Sequence, residues 1–120
     1  HRFWTDALEL DARYHAPRVE PSGLGEYFTA RRADPNWRGC NVTIPHKLVA
    51  LDHVEDRGGV RATIGATNLV TRAEDGALVG ANTDAGGFYA PISGFDIAGK
   101  PVTVVGAGGA ARAVLFALSK

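Results

Sequence analysis

Apolar positions recur along the chain in two rhythms, one with the period of a helix and one with the period of a strand. Phe3, Trp4, Ala7, Leu8 and Leu10 fall at helical spacing and predict an amphipathic helix over residues 2–10. Ala12, Tyr14 and Ala16 alternate toward Pro17 and predict a short strand. After Pro21-Ser22-Gly23, the residues Leu24, Tyr27 and Phe28 predict a second helix to about Arg32, ended by the Asp34-Pro35-Asn36 turn. Trp37 to Ile44 then reads as a strand with Cys40, Val42 and Ile44 on one face. Leu48, Val49, Leu51 and Val54 predict a helix closed by Gly58-Gly59. Residues 68–72 and 77–81 flank Glu74-Asp75-Gly76, a hairpin signal with glycine placed for positive φ. Residues 86–92 read as helix, Pro101 to Val105 as an apolar strand, and Ala110 to Leu118 as a closing helix. Helices alternating with strands give an α/β class.

Composition changes this picture little. With 120 residues, 45% hydrophobic and 22% charged, the chain has the material for one ordinary core. Thirteen basic and thirteen acidic residues cancel, so no long-range field favours nucleic acid or an acidic membrane surface. No run approaches the roughly 18 apolar residues of a membrane span. One cysteine, Cys40, cannot form an internal disulfide and fits a reducing, cytoplasmic compartment. The chain starts at His1 and has no methionine, which points to a fragment of a longer protein. Gly94, Gly99 and Pro101 cluster in a composition break. A boundary is expected there, with residues 1–97 in one unit and 98–120 opening a second. Oligomeric state is not legible.

Three stretches carry chemistry. In Asn41-Val42-Thr43-Ile44-Pro45-His46-Lys47, Pro45 stops the strand as a paired ladder and places Lys47 in the first turn of the expected helix. A helix start carries partial positive charge, and with partial burial it would favour the neutral amine that proton transfer needs. A solvated surface lysine is the plainer alternative. The second stretch, Gly80-Ala81-Asn82-Thr83-Asp84-Ala85-Gly86-Gly87, sets Asp84 before a helix, where an N-cap is its default role. Asn68 is by default a turn amide before a strand. In the third, apolar Val102–Val105 runs into Gly106-Ala107-Gly108-Gly109-Ala110-Ala111 and out into a helix, the context of a dinucleotide fingerprint. Gly106 permits the tight turn, Gly108 lets the backbone approach a pyrophosphate, and Ala111 allows close packing. A purely structural glycine turn is the alternative.

Taken together, these stretches resemble the shikimate dehydrogenase family in order, spacing and residue type. Asn41-Val42-Thr43-x-Pro45-x-Lys47 is similar to its substrate-lysine motif, Gly80-x-Asn82-Thr83-Asp84-x-x-Gly87 to its aspartate motif, and residues 106–113 to its cofactor loop. The resemblance covers essentially the whole chain. It implies a substrate-binding α/β domain followed by the first strand–helix unit of a Rossmann-type dinucleotide-binding domain. It implies hydride transfer between shikimate and NADP, with NAD left open, in aromatic amino-acid precursor biosynthesis. Lys47 and Asp84 would be the catalytic pair, and Thr43, Lys47, Asn68 and Asp84 would bind substrate. Gly106, Ala107, Gly108, Gly109 and Ala110 would hold the cofactor, and no metal is called for.

The chain also departs from the family's pattern. Leu69 stands where the family usually has threonine. The serine pair that holds the substrate carboxylate, and the first strand of the substrate domain, would precede His1. The rest of the nucleotide-binding sheet, and the residues choosing NADP over NAD, would follow Lys120. These 120 residues alone are therefore expected to show little or no dehydrogenase activity. A quinate-accepting variant and a non-catalytic ligand-binding relative are the alternatives. Intact Lys47 and Asp84 speak against the latter.

Overall fold

The computed structural model describes residues 1–120, apart from the side chain of Arg2. Its elements run α1 (Arg2–Ala7), α2 (Leu24–Ala33), β1 (Gly39–Asn41), α3 (Val60–Thr63), β2 (Leu69–Arg72), β3 (Leu78–Ala81), α4 (Asp84–Tyr89) and α5 (Gly109–Leu118). Short 3-10 turns lie at Pro21–Gly23, His46–Leu48, Ala50–Asp52 and Ala90–Ile92. The class is α/β, as expected.

The strands form one antiparallel sheet in the order β1-β2-β3, with Cys40 opposite Val70 and Val70 opposite Gly80. The β2–β3 hairpin sits where Glu74-Asp75-Gly76 predicts it, and Gly76 takes φ +85°, which side chains rarely adopt. Alternate residues Val70, Leu78 and Gly80 face inward, the period-2 pattern of a half-buried sheet. Leu24, Phe28, Val42, Ala50, Val70 and Leu78 make the main core, so α2 packs on the sheet. Glycine at 80 is required by close approach: a Cβ there would lie 2.6 Å from Leu51 Cδ2 and 3.2 Å from Val54 Cγ2. A second, smaller core joins α4 to α5 through Ala85, Ala113 and Ala117, flanked by Ile64, Phe88 and Phe116. Alanines at that contact let the two helices approach closely.

Arg72 ties the sheet to α2. Its guanidinium donates to the carbonyls of Arg31 (2.7 Å), Arg32 (3.0 Å) and Asp34 (2.8 Å), and also to Trp37 (3.0 Å) and Gly76 (2.9 Å). The last carbonyls of a helix have no partner within it and carry partial negative charge, so a cation satisfies them twice over.

Several expected elements differ. The first helix ends at Ala7, and Phe3, Trp4, Leu8 and Leu10 stay exposed. Residues 12–16 form no strand, because nothing pairs with them; between residues 17–21 and the unpaired outer edge of β1 lies a cavity of about 500 Å³. The strand expected from Trp37 to Ile44 is reduced to Gly39–Asn41. Val42 is buried as expected, while Ile44 is 84% exposed beyond the last ladder position. The helix expected after Pro45 is replaced by two 3-10 turns. Leu48 and Val49 point outward, so one side of the apolar run has no core to dock on. Pro101 to Val105 forms no strand either. A strand exists through ladder bonds, no neighbour in these 120 residues supplies them, and Val105 is 95% exposed. Helix α4 starts at Asp84 rather than Gly86, and α5 spans the expected residues.

One local device has a measurable pH signature. Asp56 accepts hydrogen bonds from the N–H groups of Val60 (2.7 Å) and Arg61 (2.8 Å), closing the start of α3. Those bonds, that to Arg61 first, hold its carboxyl below the usual carboxylate range. A depressed folded-state value gives stability that is present at neutral pH and lost as pH falls through that value. Asp56→Ala should therefore cost about 1 kcal/mol at pH 7. The gap from wild type should begin to close below about pH 3.9, where the unfolded carboxyl titrates. Urea melts of both chains at several pH values check this.

Candidate active site

The site is built from four backbone segments. The Ile44–Pro45 peptide is cis, and His46 N–H donates to the Thr43 carbonyl at 2.8 Å, turning the chain sharply after β1. The His46 ring is buried, and its Nε2–H donates to the Val19 carbonyl at 2.8 Å. That anchor sets Lys47 on the 3-10 turn. Lys47 is held in turn by its own carbonyl, which accepts from Thr67 N–H at 2.8 Å. The Thr67 side chain is fully buried, and its one hydroxyl proton is shared between the carbonyls of Leu69 (3.0 Å) and Ala81. The lysine turn is thus fixed to the ends of β2 and β3.

At the end of β3 the chain enters α4. Lys47 Nζ lies 2.7 Å from Asp84 Oδ2, with the two side chains 17% and 30% exposed. The other carboxylate oxygen, Oδ1, accepts from Asn68 Nδ2 at 2.7 Å. Asn68 Nδ2 also donates to the Thr83 hydroxyl (2.9 Å), and its Oδ1 accepts from Thr83 N–H (2.8 Å). Both amide donors of Asn68 are therefore used inside the protein. Its remaining capacity toward a ligand is as an acceptor. Asp84 does not cap its helix: Asn82 Oδ1 accepts Ala85 N–H at 3.2 Å and fills that role. Nor does Lys47 occupy a helix start, so the field expected there is replaced by the carboxylate itself.

Of the residues singled out in the sequence, Lys47, Asn68 and Asp84 are brought into direct contact. Thr43 is exposed at the entry to the same turn, and no hydrogen bond among the described residues links its hydroxyl to the three. The glycine loop arrives beside them. Gly106 takes φ +117°, open only to glycine, and Gly108 precedes α5 in an extended conformation. Ala107 and Ala110 are exposed, and Gly109 is half-buried against the Lys47 stem. Burial pushes the Cys40 thiol above its ordinary value, which disfavours the thiolate.

Sequence reasoning missed the structural parts played by Thr67 and Asn82. A buried threonine two residues before a strand is ordinary, and its role depends on two carbonyls that only the fold brings near. Asn82 also donates from Nδ2 to the carbonyl of Ala66, a fully buried residue, at 2.9 Å. Asn82→Ala removes the α4 cap and strands that carbonyl. A loss of about 2 kcal/mol should follow, read as a lower urea midpoint at unchanged slope.

Residues 1–70 match the sequence family described as the shikimate dehydrogenase substrate binding domain. A curated relative named shikimate dehydrogenase (NADP(+)), from Sphingopyxis alaskensis, is 55% identical over 120 residues, which are 100% of this chain and 44% of that protein. A crystal structure of shikimate 5-dehydrogenase from Thermus thermophilus in complex with shikimate is 39% identical. It superposes at TM-score 0.85 over 99% of this chain and 45% of its own. The ligand-free 5-ketofructose reductase of a Gluconobacter strain is 42% identical at TM-score 0.78, over 95% of this chain and 41% of its own. The chain spans less than half the length of these relatives. With the family match covering more than half of its residues, it belongs to the shikimate dehydrogenase substrate binding domain family.

Proposed function

We propose that the protein carrying this chain is an NADP-dependent shikimate dehydrogenase. It would interconvert shikimate and 3-dehydroshikimate on the route to aromatic amino acids. One observation carries this reading: the Lys47–Asp84 pair at 2.7 Å, clamped by Asn68, with a dinucleotide-type loop meeting the lysine. Residues 1–97 form the substrate-binding unit in this view, and residues 98–120 open the NADP-binding Rossmann unit. A curated relative 55% identical to this chain carries the NADP name, and the Thermus enzyme is described in complex with shikimate.

The loop suits a dinucleotide. A Cβ at Gly106 or Gly108 would meet nothing within 4 Å, so the backbone there faces open space. The backbone of Gly106, Ala107, Gly108, Gly109 and Ala110 would line a pyrophosphate, with the N–H groups opening α5 as donors. NADP, when bound, would supply the hydride acceptor. The chain's own residues handle the proton and the polyol. Oxidising the alcohol requires the hydroxyl proton to leave as hydride departs, and the Lys47–Asp84 pair takes it up. Asn68 holds Asp84 oriented and offers its free acceptor site to a substrate hydroxyl. Thr43, with its hydroxyl unused, binds another. A site that pairs each hydroxyl discriminates strongly against analogues lacking one.

A single cysteine fits a cytoplasmic setting, and no helix among the described residues is long and apolar enough to cross a membrane. A second reading has its own observation. The chain is 42% identical to a protein named 5-ketofructose reductase, which supports placing keto-sugars beside quinate in the substrate panel.

Lys47→Ala in the full-length protein should lower kcat for shikimate oxidation by about 10²–10⁴-fold while KM changes far less. Steady-state NADPH formation at 340 nm measures this. Equal losses in kcat and in substrate affinity would mark a binding role instead.

A further inference from the structure

The dinucleotide fingerprint asks for small residues at positions 106, 108 and 111 and asks nothing of position 109. Glycine nevertheless stands at 109. Backbone conformation does not demand it, since Gly109 is not among the positive-φ residues. Helix formation disfavours it, because Gly109 opens α5 and glycine is a poorer helix residue than alanine. Phosphate approach does not single it out, since it is Gly106 and Gly108 that face open space.

What presses on Gly109 is the lysine. A Cβ built there would lie 2.9 Å from Lys47 Cβ, 3.2 Å from Lys47 Cδ and 3.3 Å from Ala66 Cβ. The lysine stem thus runs through a slot with Gly109 on one side and fully buried Ala66 beside it, and reaches Asp84 at the far end. The slot has little give. Thr67 N–H holds the Lys47 carbonyl at 2.8 Å, so the turn cannot back away without losing that bond. On the α5 side, Ala113 and Ala117 are buried against α4, so the helix cannot retreat freely.

We propose that Gly109 is a positioning residue for Lys47. Its missing side chain serves the lysine rather than the cofactor, and it makes the Lys47–Asp84 geometry depend on how the glycine loop docks. The inference deepens the dehydrogenase reading and rests on it for its kinetic consequence alone. The contact itself does not depend on that reading.

The test uses the full-length protein and its Gly109→Ala variant, with two readouts. Trace acetylation of amines, followed by mass spectrometry, reports how freely Lys47 reacts. Displaced from Asp84, it should label several-fold faster in the variant. Kinetically, kcat should fall on the order of 10²-fold, the scale of a displacement of about 1 Å. The dissociation constant for NADP should stay within about twofold, since the loop atoms facing open space are untouched. Adding Ala66→Gly in the double variant opens the neighbouring wall and should return both readouts toward those of Ala66→Gly alone. That comparison also decides the matter if the single variant does not fold. Unchanged labelling, or a loss of NADP affinity in step with kcat, would overturn the proposal. If the wild-type protein fails to oxidise shikimate, the dehydrogenase reading falls, and the labelling of Lys47 still decides the role of Gly109.

Discussion

The Lys47–Asp84 ion pair is where the chain's separate segments meet. Lys47 comes from the turn after β1, Asp84 from the start of α4, Asn68 from the entry to β2, and Gly109 from the start of α5. None of these segments is stable alone: the turn has no helix behind it, and the strands are only three or four residues long. The pair is partly withdrawn from water, so removing one partner leaves a charge that the surroundings do not offset. The buried Thr67 hydroxyl and the two-sided Asn82 amide fix the same junction from beneath. Structural order and proposed chemistry therefore depend on one set of contacts.

Such an arrangement suits proton transfer. Both Asp84 oxygens are engaged, one by a cation and one by an amide, so its carboxylate is held in one orientation before any ligand arrives. Preorganised polar groups of this kind need no rearrangement at the moment of reaction. The glycine loop enters as a neighbour of the lysine stem rather than as a distant appendage. Docking of that loop and placement of the amine are linked by packing alone.

How much of this was legible in the sequence depended on how local the cause was. The β2–β3 hairpin was visible because its turn is set locally by Asp75 and Gly76, and α5 because ten residues keep helical periodicity. The motif residues Lys47, Asn68 and Asp84 were visible as types in a known order. Only the resemblance paired Lys47 with Asp84, since partners 37 and 16 positions apart have no local reason to meet. Non-local causes also explain the misses. The apolar run at 101–105 has strand character but no ladder partner in the chain, and the run at 48–54 has helical spacing but docks on only one side. Nothing local in the sequence marks Arg72, which gathers five carbonyls from three segments.

The central claim is that Lys47 and Asp84 act as one unit. A double-mutant cycle on kcat/KM in the full-length protein, with Lys47→Ala, Asp84→Ala and the two combined, tests it most directly. Groups that work as a unit give strongly non-additive losses, so the double variant should be no slower than about the worse single variant. Losses that multiply would mean that the two residues act independently, and the account of the pair would be wrong.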